Sequence, residues 1–119
     1  MKEMEKQLLV EAGIDIDSAL ERMMGSEALL QRLFRKFLED DNYRILTAAV
    51  ENGDRQMALT ASHTLKGMCG NLSCTRLYGL FAAQVDRMRS EDWDGAAGMM
   101  TEIREAYEAA AGAVRRCFG

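Results

Sequence analysis

The chain contains no proline and one histidine, His63, among its 119 residues. Without proline, no segment is barred from helix by a fixed ring and a missing N–H. Aromatic residues make up only 7% of the chain against nine methionines, a balance that favours helix. No apolar run approaches the length needed to span a bilayer, and Met1-Lys2-Glu3-Met4-Glu5-Lys6 lacks the apolar centre of a signal peptide. Membrane association is therefore not expected. The three cysteines form an odd set, and Cys69 and Cys74 are not spaced as CxxC, which disfavours zinc. Reduced thiols in the cytoplasm are the expectation. A net charge of −4 argues against nucleic acid, whose phosphates attract a basic face.

What remains is a composition of 48% hydrophobic and 29% charged residues, that of a globular chain of one domain, residues 1–119. The abundance of alanine and methionine favours helix throughout, and no stretch alternates as a strand does. Gly13, Gly25 and Gly53 each follow a periodic apolar segment, as C-terminal caps do. Ser26, Asp54, Ser73 or Thr75, and Asp92 suit the starts that follow. These signals predict helices at about 2–12, 16–24, 27–52, 55–71, 75–90 and 93–117. A kink or register slip is expected at Glu39-Asp40-Asp41-Asn42, where acidic residues interrupt the apolar stripe between Leu38 and Ile45, Ala48 and Ala49.

The last of these segments fixes the expected architecture. Trp93, Ala96, Met100, Ile103, Tyr107, Ala110, Val114 and Cys117 recur in steps of three and four, a narrow seam suited to near-antiparallel packing. Short connections make neighbouring long helices antiparallel. The expected fold is all-α: an antiparallel up-down-up-down four-helix bundle with two short N-terminal helices packed across one end.

The histidine helix has its own seam at Ala58, Ala61, Leu65, Met68 and Leu72. At 100° per residue His63 falls nearly opposite that seam and faces outward. A lone histidine on an exposed face is commonly only a solvated polar residue. Two features set this one apart. Gly67 and Gly70 each cost a helix about 1 kcal/mol relative to alanine, and removing their side chains clears space beside the ring. Lys66, three residues on, can meet an anion attached to the imidazole. No second histidine or carboxylate lies within a turn, so neither a metal site nor a nucleophile–base pair is visible. A single accessible nucleophilic imidazole beside a cation suffices to accept and donate a group while a partner supplies the catalysis.

The run Ser62-His63-Thr64-Leu65-Lys66-Gly67, followed by Gly70-Asn71-Leu72, resembles the signature of histidine-containing phosphotransfer (HPt) domains. These are helical bundles that relay a phosphoryl group to and from aspartates of receiver domains. Gly13-Ile14-Asp15, Ala19-Leu20-Glu21-Arg22, Gly25 and Phe37-Leu38-Glu39-Asp40 also fall where that family has comparable residues, so the resemblance covers about residues 13–117. It implies that His63 is the phospho-accepting residue, through Nε2. Lys66 would meet the phosphoryl oxygens and Gly67 would admit the receiver's loops. Leu59, Thr60, Thr64 and Gly70 are further candidate contacts on the same face.

Two positions depart from the family pattern. Ser73 stands where many relatives have glycine. Relatives also place a glutamine of the next helix near the histidine; Gln84 is the candidate, one position early. It either reaches the site or is a core glutamine that needs internal partners. The implied partners are a response-regulator receiver domain and a sensor or hybrid histidine kinase, with Mg²⁺ held by the receiver and no cofactor in this chain. The chain would be a monomeric carrier without catalysis of its own.

Other conspicuous residues are expected to be structural. Met57, Met68, Met88, Met99 and Met100 are read as core or rim fillers, Trp93 as a staple for the last helix, Cys69 as a packing residue, and Glu39-Asp40-Asp41 as a solvated face. Two rival functions remain: a non-phosphorylated adaptor binding a partner through the same face, and an enzyme with His63 as general base. The missing partner residues disfavour the second.

Overall fold

The computed structural model describes residues 1–119 and contains helices and no strand. In chain order the helices are α1 (Glu3–Glu11), α2 (Ile16–Arg22), α3 (Glu27–Glu39), α4 (Asn42–Asn52), α5 (Arg55–Asn71), α6 (Thr75–Arg89), α7 (Trp93–Gly98) and α8 (Met100–Phe118). They pack into a body of 43 × 22 × 20 Å. None is long and apolar enough to cross a membrane.

The expected caps at Ser26, Asp54 and Asp92 form. Each side chain accepts the backbone N–H three residues on, from Leu29, Met57 and Gly95, satisfying a donor that the first turn leaves free. Gly53 closes α4 at φ 70°, in the left-handed region. Less expected are Met24, Ser73 and Glu91, which take the same region without being glycine and follow α2, α5 and α6.

Three boundaries correct the sequence expectation. The helix expected over 27–52 is two helices, not one kinked rod. Asp40 takes an extended ψ of 137°, and its Oδ1 accepts both the backbone N–H of Asn42 (2.8 Å) and its side-chain amide (2.9 Å). Asp40 is thus a helix breaker with two local bonds rather than part of a purely solvated face. The break resets the register: Leu46 and Ala49 are buried and Ala48 is exposed. The helix expected over 93–117 is also divided, at Met99, whose N–H donates to Ala96 in a three-residue step. Its apolar seam continues across the break, with Ala96, Ile103, Ala110 and Val114 buried. Finally, α6 starts from Cys74, not from Ser73 or Thr75.

α5 packs between α4 and α6, α3 and α6 both pack on α8, and α1 lies against α2 and α8. Ala58, Ala61 and Leu65 of α5, and Leu72 just after it, are buried, and the two alanines keep that face narrow. The core continues through Leu30, Phe34, Phe37, Leu46, Phe81 and Ile103, each of the large ones contributing about 1.5–3 kcal/mol by burial. At the far end Phe118 packs on Phe34 with ring centroids 5.6 Å apart, and Arg35 Nε donates to its carbonyl at 2.8 Å. Trp93 is half-buried against the core with the Arg55 guanidinium 5.1 Å from its ring centroid. Met88 is buried, Met68, Met99 and Met100 pack partly buried against the core, and Met57 is 48% exposed.

Candidate functional site

The orientation of α5 is set from inside. Ser62 is fully buried and its Oγ donates to Gln84 Oε1 at 2.8 Å. One residue on, and about 100° around the helix, His63 is exposed. Thr60, Thr64 and Gly67 share the solvent face, and Lys66 is half-buried beside it.

Gln84 needs correction as a candidate at the site. It is completely buried, accepting from Ser62 and donating through Nε2 to the Ala96 carbonyl (3.0 Å) and Met100 Sδ (3.2 Å). Of the two alternatives it is the core glutamine, with its amide engaged at both ends. It does not line the cleft, and its side chain meets α5 through Ser62.

The two glycines differ. A Cβ at Gly67 would meet nothing within 4 Å, so this position is open to an approaching molecule. A Cβ at Gly70 would lie 3.1 Å from the Tyr78 ring. The space cleared at Gly70 is therefore occupied by Tyr78 of α6, which corrects the expectation that both glycines leave clearance for a partner.

His63, Lys66, Gly67 and Gly70 open onto one cleft of about 530 Å³, whose other wall includes Arg22 of α2 and Tyr78 of α6. The α2 wall is tied in place by a clasp between two turns. The Gly13 carbonyl accepts from Arg76 N (3.3 Å) and Thr75 Oγ1 (3.2 Å), and Asp15 N donates to the Ser73 carbonyl (2.8 Å). Ser73 Oγ donates to Ser18 Oγ at 3.1 Å. Gly13 is required here on two counts: its φ is +87°, and a Cβ would lie 2.7 Å from Arg76 Cβ.

Leu59, Thr60 and Thr64 do not line the cleft. Leu59 is half-buried against the core, and Thr64 Oγ1 donates back to the Thr60 carbonyl at 2.9 Å. They remain surface neighbours of His63 rather than walls of its cleft. Arg22 escaped the sequence reading because its nearness to His63 is through space; only the position of Ala19-Leu20-Glu21-Arg22 within the resemblance hinted at it.

Cys69 lines the cleft yet is buried, as is Cys74. The neighbouring Cys74 thiol, then burial, pushes the Cys69 thiol well above its ordinary range, so it is a packing group and not a nucleophile. No three His, Cys, Asp or Glu side chains converge. The cleft thus offers one exposed imidazole, two cations and no carboxylate, an arrangement that can hold a transferred anion.

No family model, curated protein or solved structure significantly matches the chain.

Proposed function

We propose that this chain is a histidine phosphotransfer domain. It accepts a phosphoryl group on His63 and relays it to or from an aspartate of a response-regulator receiver. The observation that carries the reading is the exposed His63 at the mouth of a cleft that contains Lys66 and no carboxylate. The motif resemblance of residues 62–72 supports it. In this reading α3–α4, α5, α6 and α7–α8 are the legs of an antiparallel up-down-up-down four-helix bundle, with α1 and α2 across one end. The short turns and the packing of α5 against both its sequence neighbours support that arrangement.

The chemistry follows from the residues. The lone pair of His63 Nε2 attacks phosphorus of an aspartyl phosphate as the P–O bond to the carboxylate breaks in line. The carboxylate leaves with the bonding pair, and the Nδ1 proton stays on the ring. Phosphoryl transfer is governed by position and charge stabilisation. Lys66 meets part of the anionic charge, and the open Cβ position at Gly67 lets the receiver bring its carboxylates and Mg²⁺ close. The carrier itself supplies nucleophile and leaving group, and no autonomous catalysis. Its partners are a receiver and a sensor or hybrid histidine kinase in the cytoplasm, bound transiently because each must be released.

The test is incubation with a phosphorylated receiver or an active hybrid kinase. Acid-labile, alkali-stable label is expected on the wild type and none on His63→Gln of unchanged helicity. Undiminished label on His63→Gln would overturn the assignment, and a docked but never labelled wild type would favour a non-phosphorylated adaptor.

A further inference from the structure

The cleft beside His63 has a charge pattern opposite to that of the whole chain. The chain has 19 Asp and Glu against 15 Lys and Arg, yet the cleft is lined by Arg22 and Lys66 and by no carboxylate. Neither cation is engaged. The four ion pairs of the molecule use the amino terminus, Lys6, Arg44 and Arg87. The two cations come from elements far apart in sequence, α2 and α5, joined by the clasp of Gly13, Asp15 and Ser18 onto Ser73, Thr75 and Arg76. Arg22 is the last residue of α2, so the clasp at the start of that two-turn helix determines where its guanidinium can reach.

We infer that Arg22 is a second phosphoryl-binding residue, and that the cleft is a two-cation site for a phosphoryl dianion formed between α2 and α5. The guanidinium presents parallel N–H donors that match two phosphoryl oxygens, while Lys66 acts as a point charge from the other wall. The source of the phosphoryl group, phosphohistidine at residue 63, rests on the phosphotransfer reading; the anion site is testable without it.

Two measurements on the full chain separate these layers. The first titrates isotope-labelled protein with inorganic phosphate and follows the amide resonances of Gly67, Gly70 and Asn71. Saturable shifts are expected in the wild type and in His63→Gln. Arg22→Ala should weaken the apparent affinity by about three- to tenfold. Arg22→Lys should recover part of that loss, and Arg89→Ala, on exposed α6 surface outside the cleft, should change nothing. The second measures loading by phosphoramidate, in which His63 Nε2 bonds to phosphorus as the P–N bond breaks and ammonia leaves with the electron pair. Arg22→Ala should load more slowly by a similar factor at unchanged thermal stability, and His63→Gln should not load.

Absence of saturable cleft shifts, or an Arg22→Ala titration identical to wild type, overturns the two-cation site. If the wild type loads on His63 while Arg22→Ala matches it in both assays, the inference fails and the phosphotransfer reading stands. If phosphate titrates the cleft in an Arg22-dependent manner but His63 never loads, the anion site stands and the phosphotransfer reading fails.

Discussion

Replacing Gln84 by leucine removes the one buried amide that ties α5, α6 and α7 together. In the native protein Ser62 Oγ donates to Gln84 Oε1, and Gln84 Nε2 donates to the Ala96 carbonyl and to Met100 Sδ, so no buried side-chain polar atom lacks a partner. Gln84→Leu removes the acceptor of the Ser62 hydroxyl. The Ala96 carbonyl keeps a longer bond from Met99 N at 3.3 Å, so its loss is partial. A buried polar group without a partner costs about 1–3 kcal/mol, which sets the expected destabilisation at about 2–4 kcal/mol. Ser62→Ala strands only the Gln84 carbonyl oxygen and should cost about 1–2 kcal/mol. The double variant removes the mutual bond once, so its cost should fall short of the sum by at least about 0.5 kcal/mol. Urea unfolding followed by far-ultraviolet circular dichroism measures all three. Because Gln84 does not reach the cleft, the Ser62→Ala and Gln84→Leu proteins should still accept phosphoryl groups on His63 under folding conditions. A Gln84→Leu protein as stable as wild type, or a strictly additive cycle, would refute the account of this network.

Four further outcomes follow from the same geometry. Gly67→Ala should stabilise the protein by up to about 1 kcal/mol, since it adds a good helix former in open space. Gly67→Leu should slow transfer from a receiver at unchanged helicity; equal transfer rates would refute the access argument. Gly13→Ala should lower the urea midpoint by the equivalent of at least about 1–2 kcal/mol, the cost of left-handed backbone. It should also weaken phosphate binding at the cleft, because the clasp that sets α2 must open. The Cys69 thiol is held above its ordinary range by the neighbouring Cys74 and by burial, so the folded state keeps this proton longer than the unfolded state. Its contribution is complete below the unfolded thiol pKa of about 8.5 and falls by up to about 1.4 kcal/mol per pH unit above it. Cys69→Ala should flatten that alkaline decline, and a wild-type stability that is level from pH 8 to 10 would contradict it.

Much of the helical order was legible because it is written in short-range signals. Ser26, Asp54 and Asp92 cap helices with their own side chains, and Gly13, Gly25 and Gly53 supply positive φ. The outward turn of His63 follows from the three-four seam of α5. The failures have a common cause, in that tertiary partners decide what a local signal means. Asp40 breaks a helix through two bonds to Asn42 that no propensity anticipates. Ser73 takes a left-handed φ of 54° at the turn where its carbonyl accepts from Asp15, so the glycine that usually marks such a turn is missing. Gly70 looked like clearance until Tyr78 was placed upon it. Arg22 joins His63 only because two turns 60 residues apart are clasped, a contact without sequence periodicity.

The central claim is most directly tested by locating the phosphoryl group. The full chain would be incubated with a phosphorylated receiver and Mg²⁺, digested at alkaline pH to preserve N–P bonds, and mapped by mass spectrometry. The account predicts one phosphoryl group, on the peptide that contains His63 and at that residue, lost on acid treatment and absent from His63→Gln. A chain that stays unmodified while the receiver loses its phosphate only at its own intrinsic rate would contradict it, as would phosphate found on a serine, threonine or carboxylate instead.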